Sequence, residues 1–249
     1  MNALIARLMH HTALVESDYS ALLRLAHRIV AKQPGQAIVT AGERLTDVFF
    51  VEEGWAIRYR ILDDGRRQIV NFMTPGDTFD MQAIVAAHSD HYVSALTNVR
   101  LRVVPSSQFL AAMRGNSALA TAFWWAAVQE ESILREHIVR IGRRTARQRC
   151  AHLFVELHRR LRMAGAPAEE CMTLPLTRDV MADSLGLSAV HVSRSIASLR
   201  SRKLIETNRG AIRLLNIEGL AELGEFNSRY LHLQDRTFLP RAPSDMETA

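Results

Sequence analysis

The sequence predicts an α+β chain in three parts: an N-terminal double-stranded β-helix, or jelly-roll, barrel; a long dimerisation helix; and a C-terminal winged helix-turn-helix. Three observations carry this. Short β-like runs separated by turn residues fill Gln36 to Phe109, an uninterrupted helical pattern spans Asn116 to Gly142, and Leu176 to Leu199 reads as two short helices around a tight turn. With 249 residues, 48% of them hydrophobic, the chain can bury a substantial core and exceeds the usual size of one domain.

In chain order, Ser17 to Ala31 carries Leu22, Leu23, Ala26, Ile29 and Val30 at helical spacing and predicts a helix packed on the barrel. The barrel strands are Ala37 to Thr40, Val48 to Val51, Ala56 to Ile61, Gln68 to Phe72, Tyr92 to Leu96 and Arg100 to Val104. Between them lie Ala41-Gly42-Glu43, Glu52-Glu53-Gly54, Asp63-Asp64-Gly65 and Thr74-Pro75-Gly76-Asp77, residues that accept a positive φ or preset a turn. Even spacing of such short strands points to a closed or doubled sheet.

The helix from Asn116 to Gly142 carries two apolar stripes: Leu119, Phe123, Ala126 and Ile133 on one, Trp124, Ala127, Leu134, Ile138 and Ile141 on the other. A helix apolar on two faces needs two partners. One is the barrel; the other is the same helix of a second subunit, in a parallel coiled-coil seam interrupted by Glu130 or Glu131. A single helix buried within a monomer is the alternative. Leu119, Phe123, Trp124, Ala127, Leu134, Ile138 and Ile141 are the candidate dimer residues. Ala146 to Met163, with Cys150, Leu153, Phe154, Leu157 and Leu161 on one face, then opens the C-terminal domain.

In that domain Thr177 caps a helix from Arg178 to Leu185, Gly186 ends it, and Ser188 caps a second helix. The second helix buries Val192, Ile196 and Leu199 and spreads His191, Ser193, Arg194, Ser198 and Arg200 over its other faces. Leu204 to Thr207 and Ala211 to Leu214 flank Asn208-Arg209-Gly210 as two strands around a turn, which makes a wing. An ordinary helical hairpin is the bland alternative, and charge argues against it. Arg140 to Asn216 holds fifteen Lys plus Arg against six Asp plus Glu, a balance of +9, so the rest of a chain with net +5 sums to −4. Basic residues gathered on a two-helix reader imply double-stranded DNA, whose phosphates release counterions on contact. Ile217 to Leu239 reads as one more amphipathic helix. The parts are bounded as residues 1–115, 116–143 and 144–240, with 241–249 a disordered tail.

Other classes find less support. The strands offer Val, Phe, Ile and Arg where a metal enzyme would need clustered His and carboxylates, so neither a metal site nor an enzyme is expected. No apolar run reaches membrane-spanning length, the first thirty residues do not resemble a signal peptide, and Cys150 and Cys171 stand apart, so a cytoplasmic protein without a membrane partner is expected. An interaction module that has lost DNA binding is a remaining alternative.

Barrel, long helix and winged helix-turn-helix in this order resemble the CRP/FNR family of bacterial transcription regulators over almost the whole chain. The resemblance rests on GERLTDVFFVEEGWAIRYRILDDGRRQIVNFMTPGDTF, ARQRCAHLFVEL and LTRDVMADSLGLSAVHVSRSIASLRSRKLI. It implies a homodimer whose recognition helices enter successive major grooves of an imperfect palindrome, half-sites ~34 Å apart, on bent DNA. It also implies activation and contact with RNA polymerase. Base contacts are then expected from Val190, His191, Ser193 and Arg194. Phosphate contacts are expected from Arg178, Arg200, Arg202, Lys203 and Arg209 and the hydroxyls of Thr177, Ser188 and Ser195.

The chain departs from the family in two places. Cyclic-nucleotide-binding members carry Gly-Glu soon after Pro-Gly-Asp and then Arg-Ser, whose arginine meets the cyclic phosphate; here Asp80-Met81 and Ser89-Asp90 or His91-Tyr92 stand instead. Cyclic AMP is therefore not expected, and the N-terminal cysteine group of the iron–sulfur members is missing, since no cysteine precedes Cys150. Haem would need an axial ligand from His10, His11, His88 or His91. The other options are an unidentified small effector, a redox response through Cys150 or Cys171, or no effector, which is the expectation; no cofactor is predicted. In the reader, Val190 fills the position of a Glu that accepts from cytosine N4, so the half-site should keep the guanine met by Arg194 but differ where that Glu would read.

Overall fold

The computed structural model describes residues 2–10, 14–25, 27–166, 172–208 and 210–232. Helices α1 (Asn2–Met9) and α2 (Glu16–Leu23) precede strand β1 (Arg28–Lys32). The predicted helix from Ser17 to Ala31 therefore stops at Leu23. Ile29 and Val30 belong to β1, which pairs antiparallel with β8 (Val99–Pro105), Ile29 opposite Arg102 and Val30 opposite Leu101. Two β-branched residues gain more from that ladder than from one more helical turn.

The barrel is a sandwich of two four-stranded antiparallel sheets. One has the order β1-β8-β3-β6, with β3 at Asp47–Glu53 and β6 at Thr78–Phe79; the other has the order β2-β7-β4-β5, with β2 at Ala37–Val39, β4 at Ala56–Ile61, β5 at Arg67–Met73 and β7 at Tyr92–Ala95. Strand β3 shows how the sequence sets the layers. Phe49 and Val51 point between the sheets, where Phe49 stacks on Phe79 with ring centroids 4.9 Å apart. Val48 and Phe50 point outward into a second cluster with Leu4 and Leu8 of α1, Phe109 of α3 (Ser106–Gly115), and Leu119 and Phe123 of α4 (Ser117–Arg143).

Asn116 caps α4 by accepting the amide of Leu119 at 2.9 Å. Helix α5 (Ala146–Met163) starts at a capping box in which Thr145 and Gln148 satisfy each other's backbone amides. The C-terminal domain continues with β9 (Thr173–Leu174), α6 (Arg178–Leu185), α7 (Ala189–Ser201), β10 (Ile205–Asn208), β11 (Ala211–Leu214) and α8 (Ile217–Leu223), and its strands pair in the order β10-β11-β9. The predicted helix from Ile217 to Leu239 is cut short. Gly224 lies against the backbone of His152, where an added Cβ would come within 2.7 Å of its nitrogen, and Glu225 turns the chain at φ 51°. A 3₁₀ turn at Ser228–Leu231 follows, and residues 233–239 and the predicted tail lie outside the described residues.

The two halves share buried surface. Trp55, Ile57, Ile69 and Phe72 of the barrel join Leu153, Phe154, Leu157 and Leu185 in one apolar cluster. Among the described residues no helix is long and apolar enough to cross a membrane.

Candidate DNA interface

Helix α6 is placed by its ends. Thr177 Oγ1 accepts the amide of Val180 at 3.3 Å, and Gly186 closes the helix at φ 61°, a conformation that costs a residue with a Cβ about 1–2 kcal/mol. Ser188 then caps α7 by accepting the amide of His191 at 3.3 Å. Val192, Ile196 and Leu199 turn into the core with Met181 and Leu185, so the remaining faces of α7 are set by the period of the helix.

What points outward is a basic and mixed surface. Ala189, Val190, His191, Arg194, Ala197, Arg200 and Ser201 are exposed, Val190 at 58%, and Ser193 and Ser198 are half-buried. Ser193, Ala197 and Arg200 line a groove of about 330 Å³ with Arg178 of α6 and Thr207 and Gly210 of the wing. Arg178, Arg194, Arg200, Arg202 and Lys203 are exposed, and among the described residues none of them is in an ion pair, whereas Arg213 pairs with Glu206 at 3.0 Å on the wing. Thr177 and Ser188 are also exposed, each oxygen already holding a helix cap. Arg209 lies outside the described residues.

Ser195 is a correction. It is 6% exposed and hydrogen-bonds to the thiol of Cys150, so α7 turns it into the core and away from any phosphate. Cys150 is itself buried, which pushes its thiol up to about 12 and leaves it unreactive at neutral pH; Cys171 lies outside the described residues. A residue that sequence reasoning missed is Arg147 of α5, which donates to Ser198 Oγ at 3.2 Å and ties the start of α5 to the recognition helix. Helical spacing puts it at the N-terminal end of the apolar face of α5, in line with Cys150 and Phe154, but nothing in the sequence names Ser198 as its partner.

On α4 the two stripes separate. Leu119 and Phe123, expected among the dimer residues, are 0% and 3% exposed under Leu4, Phe50 and Phe109 and cannot reach a partner subunit. Trp124 and Ile138 are 73% and 66% exposed, and Ala127, Leu134 and Ile141 are half-buried beside them. The interruption of this stripe is Glu131, which is exposed and pairs with Arg135 one turn on. Glu130 instead faces inward, bonding Arg58 of β4 and, at 3.1 Å, the amide nitrogen of Asn71 on β5.

The barrel position that corresponds to Gly-Glu is filled from within the chain. Asp80 is 2% exposed, holds a left-handed φ of 58°, and accepts from Arg58 Nη2 at 3.1 Å. His91 contacts the same carboxylate through Nε2 at 3.0 Å, and its Nδ1 lies 2.8 Å from Asp90, so both ring nitrogens are engaged. Arg58 is shared between Asp80 and Glu130. A cyclic phosphate here would meet two carboxylates and a cation already committed, so these residues do not fit one. His10 and His88 are exposed, His88 in a backbone bridge with Arg44, and His11 lies outside the described residues.

The comparisons agree with this architecture. Residues 29–116 match the cyclic nucleotide-binding domain family and residues 148–223 the Crp-like helix-turn-helix domain. The chain is 32% identical over 211 residues to the nitrogen fixation regulation protein FixK of Bradyrhizobium diazoefficiens, covering 82% of this chain and 87% of that protein. The chain belongs to the CRP/FNR family of transcription regulators. Other members include the transcriptional activator protein FnrL of Cereibacter sphaeroides, 28% identical over 74% of this chain and 75% of that one. The solved structure of FixK2 from Bradyrhizobium japonicum superposes with a TM-score of 0.71 at 27% identity, over 80% of this chain and 98% of that one. Like these relatives, this member of the family is a DNA-binding transcription regulator and not an enzyme.

Proposed function

We propose that the protein is a homodimer that binds an imperfect palindrome and activates transcription through RNA polymerase without a small-molecule effector. The observation that carries the DNA-reading half is the exposed patch of Val190, His191 and Arg194 at the start of a helix capped by Ser188, flanked by cations that are in no ion pair among the described residues. The dimer is supported by the exposed Trp124 and Ile138 at coiled-coil spacing. Activation is supported by the name of one relative, a transcriptional activator. The absence of an effector is supported by the way Arg58 and His91 occupy Asp80. A cytoplasmic location goes with this reading.

Selection of full-length protein on randomised duplexes tests the first half. Arg194→Ala should cost ~1–3 kcal/mol at one guanine and relax specificity there, whereas Arg202→Ala should weaken all sequences alike and lower the salt slope by about one. Identical behaviour of the two variants would overturn the division of roles. A native mass spectrum and an absorption spectrum of freshly purified protein test the second half: a bare dimer mass is expected, and a nucleotide or haem adduct would refute it.

A further inference from the structure

We propose that Val190 and His191 together read one thymine beside the guanine of Arg194, Val190 through the C5-methyl group and His191 through O4; this rests on the DNA-reading role of α7. The observation is a hydroxyl bridge at the first turn of the helix. Ser188 Oγ accepts the amide of His191 at 3.3 Å and lies 3.0 Å from His191 Nδ1. An oxygen already used as the cap acceptor still carries one proton, which it can turn onto Nδ1. With the Ser188 hydroxyl proton turned onto Nδ1, the ring hydrogen sits on Nε2, which has no partner among the described residues.

His191 therefore offers the groove a single donor, and Val190, 58% exposed at the preceding position, offers two methyl groups. Arg194 lies three and four residues on, so the three side chains form one patch on the exposed end of α7. Thymine alone presents a methyl group and an acceptor side by side in the major groove. Cytosine N4 and adenine N6 would set a donor against Nε2–H, and guanine has acceptors without a methyl. The replacement of that carboxylate by Val190, with His191 beside it, thus exchanges one base for another instead of abolishing readout.

The test uses the full-length protein on the selected half-site, with that thymine replaced in turn by deoxyuridine, which deletes only the methyl, and by 5-methyldeoxycytidine paired with deoxyguanosine, which keeps the methyl and turns the acceptor into a donor. Deoxyuridine should weaken binding about fourfold, the effect of one buried methyl, and 5-methyldeoxycytidine about tenfold or more, through an opposed donor. Val190→Ala should erase the first discrimination and keep the second. His191→Ala should erase the second, and His191→Gln, which retains a donor, should restore part of it. Ser188→Gly keeps most of the cap but frees the ring, and should reduce the second discrimination alone. No thymine preference beside the guanine, or discrimination that survives both alanine variants, would overturn the proposal. Loss of the guanine preference itself, with Arg194→Ala binding like wild type, would sink the orientation of α7 and this proposal with it.

Discussion

His137 and His152 show how single residues at the junction of α4 and α5 depend on proton balance. His137 is 8% exposed, and burial beside the Arg140 guanidinium lowers its pKa to about 4. His152, fully buried, is pushed down in the same way by burial and by Arg140 and Arg144, and it accepts from Arg140 Nε at 3.2 Å. Arg140 in turn pairs with Glu156, which also accepts from the hydroxyl of Tyr230 at 2.8 Å and lies 3.8 Å from Arg160. The unfolded chain binds a proton at His137 below its ordinary value of about 6.5, while the folded chain does so only near 4. Stability contributed by this residue is therefore present above pH 6.5 and is lost as pH falls toward 4. Each pKa unit is worth about 1.4 kcal/mol, so His137→Gln should make the fall in unfolding free energy between pH 7 and 4.5 smaller by about 2 kcal/mol. Urea melts at the two pH values measure it; an unchanged pH dependence in the variant would refute the assignment.

Among elements, those with ends set by local chemistry were legible. The caps at Thr145, Thr177 and Ser188 and the left-handed Gly186 put α5 and α6 at the limits read from the chain and α7 directly after its cap. Elements decided by a distant partner were not. Ile29 and Val30 satisfy the helical period with Leu22, and only pairing with β8 makes them a strand; Gly224 reads as tolerable within a helix until the backbone of His152 is seen beside it. The two stripes of α4 were both visible, but helical spacing alone could not say that Leu119 and Phe123 meet α1 and the barrel. The stripe left outward carries its own prediction. Ile138→Glu adds a charge at an exposed position and should change the melting stability of the protomer by about 0.5 kcal/mol or less. In a seam it would bury that charge against its copy, so sedimentation should show monomers and affinity for a full palindrome should fall to that of a half-site. A variant that remains dimeric would place the interface elsewhere.

At the scale of the whole molecule, the barrel and the reader are joined by polar groups far apart in sequence. Asp183 of α6 pairs with Arg67 of β5 at 2.7 Å, and Gln68 reaches the carbonyl of Ser184. Arg160, on α5, is 4% exposed and sends its guanidinium into the barrel, to Asn71 at 3.3 Å, the carbonyl of Phe72, and Asp77 at 2.9 Å; Asp77 also holds Arg7 of α1. Through Asn71 and Glu130 this chain of bonds continues to Arg58 and Asp80. None of it could be read from the sequence, because a lone Arg in an amphipathic helix is most often solvated and its partners lie some eighty residues away. Because Asp80 at the input position and Arg160 in the output domain share one buried network, the two halves should unfold together. Arg160→Met keeps the packing volume of α5 but removes every barrel contact and leaves acceptors on Asn71 and Phe72 unmet. Breaking a buried pair in this way should cost about 3–5 kcal/mol. Calorimetry of wild type should give a single transition, and the variant should split into a lower one for the reader and a higher one for the barrel. A single transition at the wild-type temperature in Arg160→Met would mean that the apolar cluster around Phe72 and Phe154 couples the halves alone, and that the ionic path is incidental to it.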